Sequence, residues 1–208
     1  MTSWASKPYW QVADDMAFRA YRSLFCQLSK RGIYHYTQEV PLFLDYVSDI
    51  SETHACIEYG YQVKSSDSVS TPDNLGFCLT ADDYAEIEII SMVPKGYHVK
   101  KLKKNSRYSF DLLNVIRHEI EHVFQDGEFK LKDIDLTVHE RSDNNFMLEP
   151  KEIPAYVHGF RLCTTSRRMF EQQVKSYIEG HGSALKLSKS EINKTYDVWT
   201  NYLKNLSL

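Results

Sequence analysis

His118 and His122 stand four residues apart with Glu119 between them, and the two imidazoles act together only if the chain around them is helical. On a helix, residues at i and i+4 lie one above the other, so both rings reach a single ion at about 2.0 to 2.1 Å. The flanking residues fit that requirement. Phe110 to Gln125 reads as a helix, with Ser109 as N-cap, Asp111 in the first turn and Gly127 just past the end. Leu112, Leu113, Ile116, Ile120, Val123 and Phe124 form one broad apolar face, while Val115, His118, Glu119 and His122 fall on the opposite side. Glu119 lies beside the histidine stripe, within reach of a metal-bound water without being a ligand. Glu121 projects elsewhere, among Asn114 and Arg117, and reads as a solvated surface charge.

Two ligands leave a metal site incomplete, because catalytic zinc usually has three protein ligands and a water. The downstream candidates are Asp126, Glu128, His139, Glu140, Glu149, Glu152, His158 and His181. Asp126 and Glu128 follow too closely on the same helix end to swing round. Glu152 is the best of the remainder: Pro150 and Pro154 suit the first turn of a new helix, where amides lack partners anyway, and small Ala155 permits close helix approach. A plainer account makes Glu152 a first-turn glutamate favoured by the helix dipole.

On these residues the chain resembles the gluzincin branch of the zinc metallopeptidases, in which His-Glu-x-x-His is followed some tens of residues later by Glu-x-x-Ala or a similar motif. The resemblance covers Val115 to Gln125 and Glu152 to Tyr156, a small fraction of the chain. It implies Zn2+ held by His118, His122 and Glu152, with Glu119 as the general base for attack on an amide carbonyl. It also implies a donor for the developing oxyanion, for which Tyr156, His158, His139 and Tyr108 all stand as suppliers. An edge strand before the active helix is expected to bind extended substrate by main-chain pairing; the segment nominated is Ala85 to Ile90, with Ala85, Glu86, Ile87, Glu88 and Ile89 as binding residues. A looser similarity, to small metallopeptidases of tailed bacteriophages, raises the alternative of a virion or tail component that keeps the fold with or without activity. Hydrolysis of a cell-wall peptide amide is a further alternative, since the same chemistry serves any scissile amide.

The 208 residues, 42% of them hydrophobic and 13% aromatic, are enough to bury a substantial core in one domain. A net charge of -3 argues against a dedicated nucleic-acid binder. The local exception, Lys95 to Arg107 with six basic residues, reads as a solvated loop or hairpin rim, with an acidic partner surface as the alternative. Cys26, Cys56, Cys78 and Cys163 are scattered and suggest buried thiols in a reducing compartment. Met1 to Trp10 has no apolar core of a signal peptide, and no stretch approaches 18 apolar residues. The expectation is therefore a cytoplasmic or virion protein with a peptide or protein substrate, possible assembly partners, and neither membrane nor nucleic acid as partner. Trp4, Tyr9, Trp10 and Trp199 suit assembly contacts or a core equally.

Val12, Met16, Ala20, Leu24 and Leu28 predict a first helix over Val12 to Lys30. Leu42 to Val47 is strand or helix. Alternation predicts strands at Ile57 to Val63, Leu75 to Leu79 and Ala85 to Met92. Lys130 to Asn145 is loop-like, a possible wall of a cleft. Pro150 to Glu179 reads as helical with a break near Gly159 and a stop at Gly180 and Gly182, and Ser188 with Glu191 forms a capping box for a last helix. The expected architecture is α+β and zincin-like, with a small mixed or antiparallel sheet on the active-site helix and a helical C-terminal half. Within that single domain, 1–108 supplies the first helix and the sheet, and 109–208 the active-site helix and the C-terminal helices.

Overall fold

A computed structural model describes residues 9–31, 35–43, 54–68, 70, 73–80, 84–97, 106–126 and 145–206. The chain is α+β and groups into two compact units, Met1–Leu131 and Lys132–Leu208, so the helix bearing the two histidines belongs with the sheet. Trp4, Gly127, Glu128, His139, Glu140, most of the Lys95 to Arg107 basic run, the end of the Leu42 to Val47 segment and nearly all of Lys130 to Asn145 lie outside the described residues. No helix among the described residues is long and apolar enough to cross a membrane.

The first unit contains α1 (Tyr9–Arg31), β1 (His35–Phe43), β2 (His54–Ser66), β3 (Asp73–Thr80), β4 (Tyr84–Pro94) and α2 (Ser106–Asp126). Val12, Met16, Ala20 and Leu24 of α1 are buried, as their spacing predicts. α2 packs on α1, β3 and β4, and starts one turn before the expected Phe110. Its six predicted apolar residues, Leu112 to Phe124, are all buried. The sheet is mixed, in the order β1-β2-β4-β3: β1 and β3 run antiparallel to their neighbours, and β2 and β4 run parallel.

That order overturns one expectation. Ala85, Glu86, Ile87, Glu88 and Ile89 lie on β4, which is an interior strand: Ile87 pairs with Tyr59 on one side and Cys78 on the other, and Ile89 with Tyr61 and Gly76. Backbone groups already used by two neighbours cannot add a third strand. Only three residues separate Thr80 from Tyr84, so β3 and β4 pair as an antiparallel neighbour couple, and β2 takes the other side of β4, which leaves β3 outermost. Along β4, Ala85, Ile87, Ile89, Ser91 and Val93 are buried, while Glu86, Glu88 and Ile90 are half-exposed, and Gln62 donates to the Glu88 carboxylate. On β3 the alternation runs opposite to hydropathy. Leu75, Phe77 and Leu79 are 45%, 52% and 69% exposed, whereas Asn74 is buried and Gly76 and Cys78 are half-buried. The inner side of this strand takes α2 at short range, which favours small residues over large apolar ones.

A second correction concerns Glu121. It is 0% exposed, not solvated: Arg117 Nη1 donates to its Oε2 at 2.8 Å, and Tyr9 Oη donates to its Oε1 at 3.1 Å. Arg117 Nε also donates to Asp14 Oδ1 of α1 at 2.8 Å. Burial opposes the guanidinium charge most strongly, but Glu121 and Asp14 more than offset it, and its pKa lies above the ordinary arginine value. α1 covers this side of α2, so the helix is enclosed on a face that its own periodicity marks as polar.

The second unit contains a 3-10 turn (Phe146–Leu148) followed by α3 (Glu152–Cys163), α4 (Arg167–Ala184) and α5 (Lys189–Asn205). Trp199 is buried at its centre, stacked on Tyr156 with centroids 4.7 Å apart, and its Nε1 donates to Met147 O at 2.9 Å. The expected break at Gly159 does not occur, because Gly159 is a buried residue within α3. The chain turns instead at Thr164 to Ser166, where the Ser166 hydroxyl caps α4 by accepting from the Met169 amide. Gly180 and Gly182 do not stop α4 either. A Cβ on Gly182 would sit 2.7 Å from Ile192 Cγ1, so this glycine allows α5 to approach. The capping box of Ser188 and Glu191 forms as predicted.

Candidate metal centre

The two histidines project from one face of α2 and are both half-exposed. Their ring centroids lie 4.8 Å apart at an 80° interplanar angle, and their Nε2 atoms are 3.1 Å apart. Two bonds of about 2.05 Å meeting at a tetrahedral angle hold their donor atoms about 3.3 Å apart, so this spacing suits two ligands on one ion. His122 Nδ1 lies 3.1 Å from the Gln125 side-chain oxygen. With the proton on Nδ1, this contact leaves the Nε2 lone pair for a metal and fixes the ring plane. Sequence reasoning missed Gln125; the signal was its position three residues after His122, on the adjacent turn of the same face.

Glu119 is 6% exposed, and its carboxyl group lies against the backbone of β3 at Gly76. Of the residues predicted for the centre, α2 thus brings together His118, His122 and Glu119. Glu152 belongs to the second unit. It occupies the first turn of α3 and is half-buried, its amide donates to Glu149 O, and Ile153, Pro154 and Ala155 beyond it are buried. That helix start follows the proline spacing as predicted.

The remaining candidates carry other contacts. Tyr156 is part of an aromatic cluster with Trp199, Tyr177 and Phe146. His158 is 0% exposed, edge-on to Tyr202, a packed position for an imidazole. His181 stacks on Tyr177, and Glu149 is exposed. Tyr108 sits ten residues before His118 on the same helix, about 15 Å along its axis, too far to serve an oxyanion at the histidines. Its hydroxyl is 2.7 Å from both Tyr61 Oη and Ser91 Oγ, and Ser91 Oγ donates to Asn74 Oδ1 at 2.5 Å. Burial raises the pKa values of Tyr61 and Tyr108, which keeps both hydroxyls protonated and the network neutral.

Near the start of α2, burial pushes the Asp111 carboxyl up to about 6; Asp73 adds to this and Arg107 opposes it. The folded state therefore holds this proton more tightly than the unfolded chain does. The resulting stabilisation is complete below the ordinary value of 3.8 and is lost as pH rises through about 6. Asp111→Asn is expected to raise the unfolding midpoint at about pH 7.5 and to change it little at about pH 4. Thermal denaturation across that range checks this, and a difference between variant and parent that does not vary with pH would refute it.

Comparison of the chain with family models, curated proteins and solved structures found no match.

Proposed function

We propose that the protein is a metal-dependent hydrolase, most simply a zinc peptidase, in which His118, His122 and Glu152, each offering one ligand atom, hold a single divalent ion. The observation that carries this reading is the pair of Nε2 atoms 3.1 Å apart on α2, with the Glu119 carboxyl group on the adjacent residue. Imidazole and carboxylate donors suit Zn2+, and two such imidazoles at i and i+4 need only one further ligand to leave a position open for solvent. When bound, the ion supplies Lewis acidity to a carbonyl oxygen and acidifies water. The chain supplies the proton traffic. Glu119 accepts a proton from the attacking water and returns it to the departing amine nitrogen, and Gln125 keeps the His122 ring in the orientation that presents Nε2.

With β4 enclosed, the role of pairing extended substrate passes to β3, an outer strand of the sheet that borders Glu119 at Gly76. The zincin-like fold and the peptide substrate belong to this reading. A second reading, a structural component of a virion or tail, draws on the row of exposed Leu75, Phe77 and Leu79, since apolar residues in a row on an outer strand suit assembly contacts.

Metal titration separates the two. The purified protein is expected to bind one equivalent of Zn2+, and His118→Ala, His122→Ala and Glu152→Ala each to weaken binding by more than about 100-fold, beyond the 10- to 100-fold typical of groups behind the ligands. Full affinity in Glu152→Ala removes that residue from the ligand set. Absence of stoichiometric binding in the parent favours the structural reading.

A further inference from the structure

Glycine in a strand interior weakens the strand and needs a reason. Gly76 lies mid-way along β3, paired with Ile89 of β4. Its backbone is not in the left-handed region; Gly96 is the glycine with positive φ among the described residues. Space, not conformation, is the constraint. A Cβ built at Gly76 would lie 2.3 Å from Glu119 Oε1, 2.6 Å from its Cγ and 2.7 Å from its Cδ, and these are the three nearest atoms. The missing side chain of residue 76 is thus the volume occupied by the end of the Glu119 side chain.

We propose that Gly76 is a positioning residue: its bare backbone forms the seat that holds the Glu119 carboxyl group in one place beside the histidine face of α2. This rests on the function proposed above for what the seat accomplishes, though the seating itself is a matter of packing. The neighbouring positions agree. Asn74 and Cys78, on the same side of β3, are small, while the large residues Leu75, Phe77 and Leu79 turn outward. A carboxyl group buried to this extent has few rotamers left, and a base held in place needs no reorganisation as it accepts a proton. Any side chain at position 76 would force Glu119 to rotate about its own torsions. Since the obstructing atoms are the far end of a flexible chain rather than backbone, the fold accommodates the change while the carboxylate moves.

Two readouts test this. First, Gly76→Ala is expected to fold, to bind Zn2+ with the parent stoichiometry, and to lose about 10- to 100-fold in kcat with KM changed less than about threefold, the pattern of a lost transition-state contact. The shorter Glu119→Asp side chain, introduced into Gly76→Ala, is expected to cost less than it does in the parent. Second, a stability cycle requires no activity. Gly76→Ala is expected to lower the unfolding midpoint when Glu119 is present and to leave it unchanged or raised in a Glu119→Ala background, where the new methyl group fills vacated space. Equal effects of Gly76→Ala in both backgrounds, or an unchanged kcat in an active protein, would overturn the proposal. If the parent hydrolyses nothing, the hydrolase reading fails while the stability cycle still decides whether Gly76 seats Glu119.

Discussion

Glu119→Gln is expected to lower amide hydrolysis by about 100- to 10,000-fold while leaving metal binding intact. Glutamine keeps nearly the same shape and volume, so it fits the seat at Gly76, where the Glu119 carboxyl group already lies against β3. It cannot accept a proton at neutral pH, which removes the base without removing a ligand. The effect should fall on kcat and kcat/KM together, since the proton moves only as the reaction proceeds. Steady-state kinetics on a broad peptide mixture, with metal content measured on the same sample, provides the test. Parent-level turnover in this variant would exclude Glu119 as base, and loss of metal would assign it a ligand role instead.

Arg117→Ala is expected to destabilise the first unit by about 3 to 5 kcal/mol, the range for breaking a buried ion pair by removing one partner. Arg117 and Glu121 both have fully buried side chains, and the Asp14 side chain is 13% exposed. Removing the guanidinium leaves two carboxylates facing each other's field with little solvent to screen them, while the Tyr9 hydroxyl still donates to Glu121. The exposed pair of Arg167 and Glu171 provides an internal control, since its side chains are 60% and 36% exposed and Arg167→Ala should cost no more than about 1 kcal/mol. Urea denaturation of both variants measures the contrast; a similar small loss in each would mean that the buried network contributes little.

Much of the framework is legible along the chain. The apolar repeat of α1 marks the residues that are buried, the run from Leu112 to Phe124 marks the inward side of α2, and the Ser188 and Glu191 pair marks the start of α5. The start of α3 at Glu152 follows from the prolines around it. These features are local: a helix repeats every 3.6 residues, and a cap lies within one turn of what it caps. The errors share a different origin. A helical wheel puts Glu121 in solvent because it contains no second helix, here α1, to cover a polar face. Gly159 did not break α3, since a glycine inside a helix costs only about 1 kcal/mol against alanine and burial outweighs that. Being the last strand before α2 does not make β4 an outer strand, because order in sequence is not order in a sheet.

The residues that can share one ion on α2 are set by the sequence alone, because the i, i+4 spacing of His118 and His122 becomes proximity as soon as that stretch is helical. Which strand lies outermost, which charges are taken out of water, and why residue 76 has no side chain were decided by tertiary structure. Each depends on a partner distant along the chain, β4 on β2, Glu121 on Tyr9, Gly76 on Glu119, and no local pattern encodes a partner's arrival.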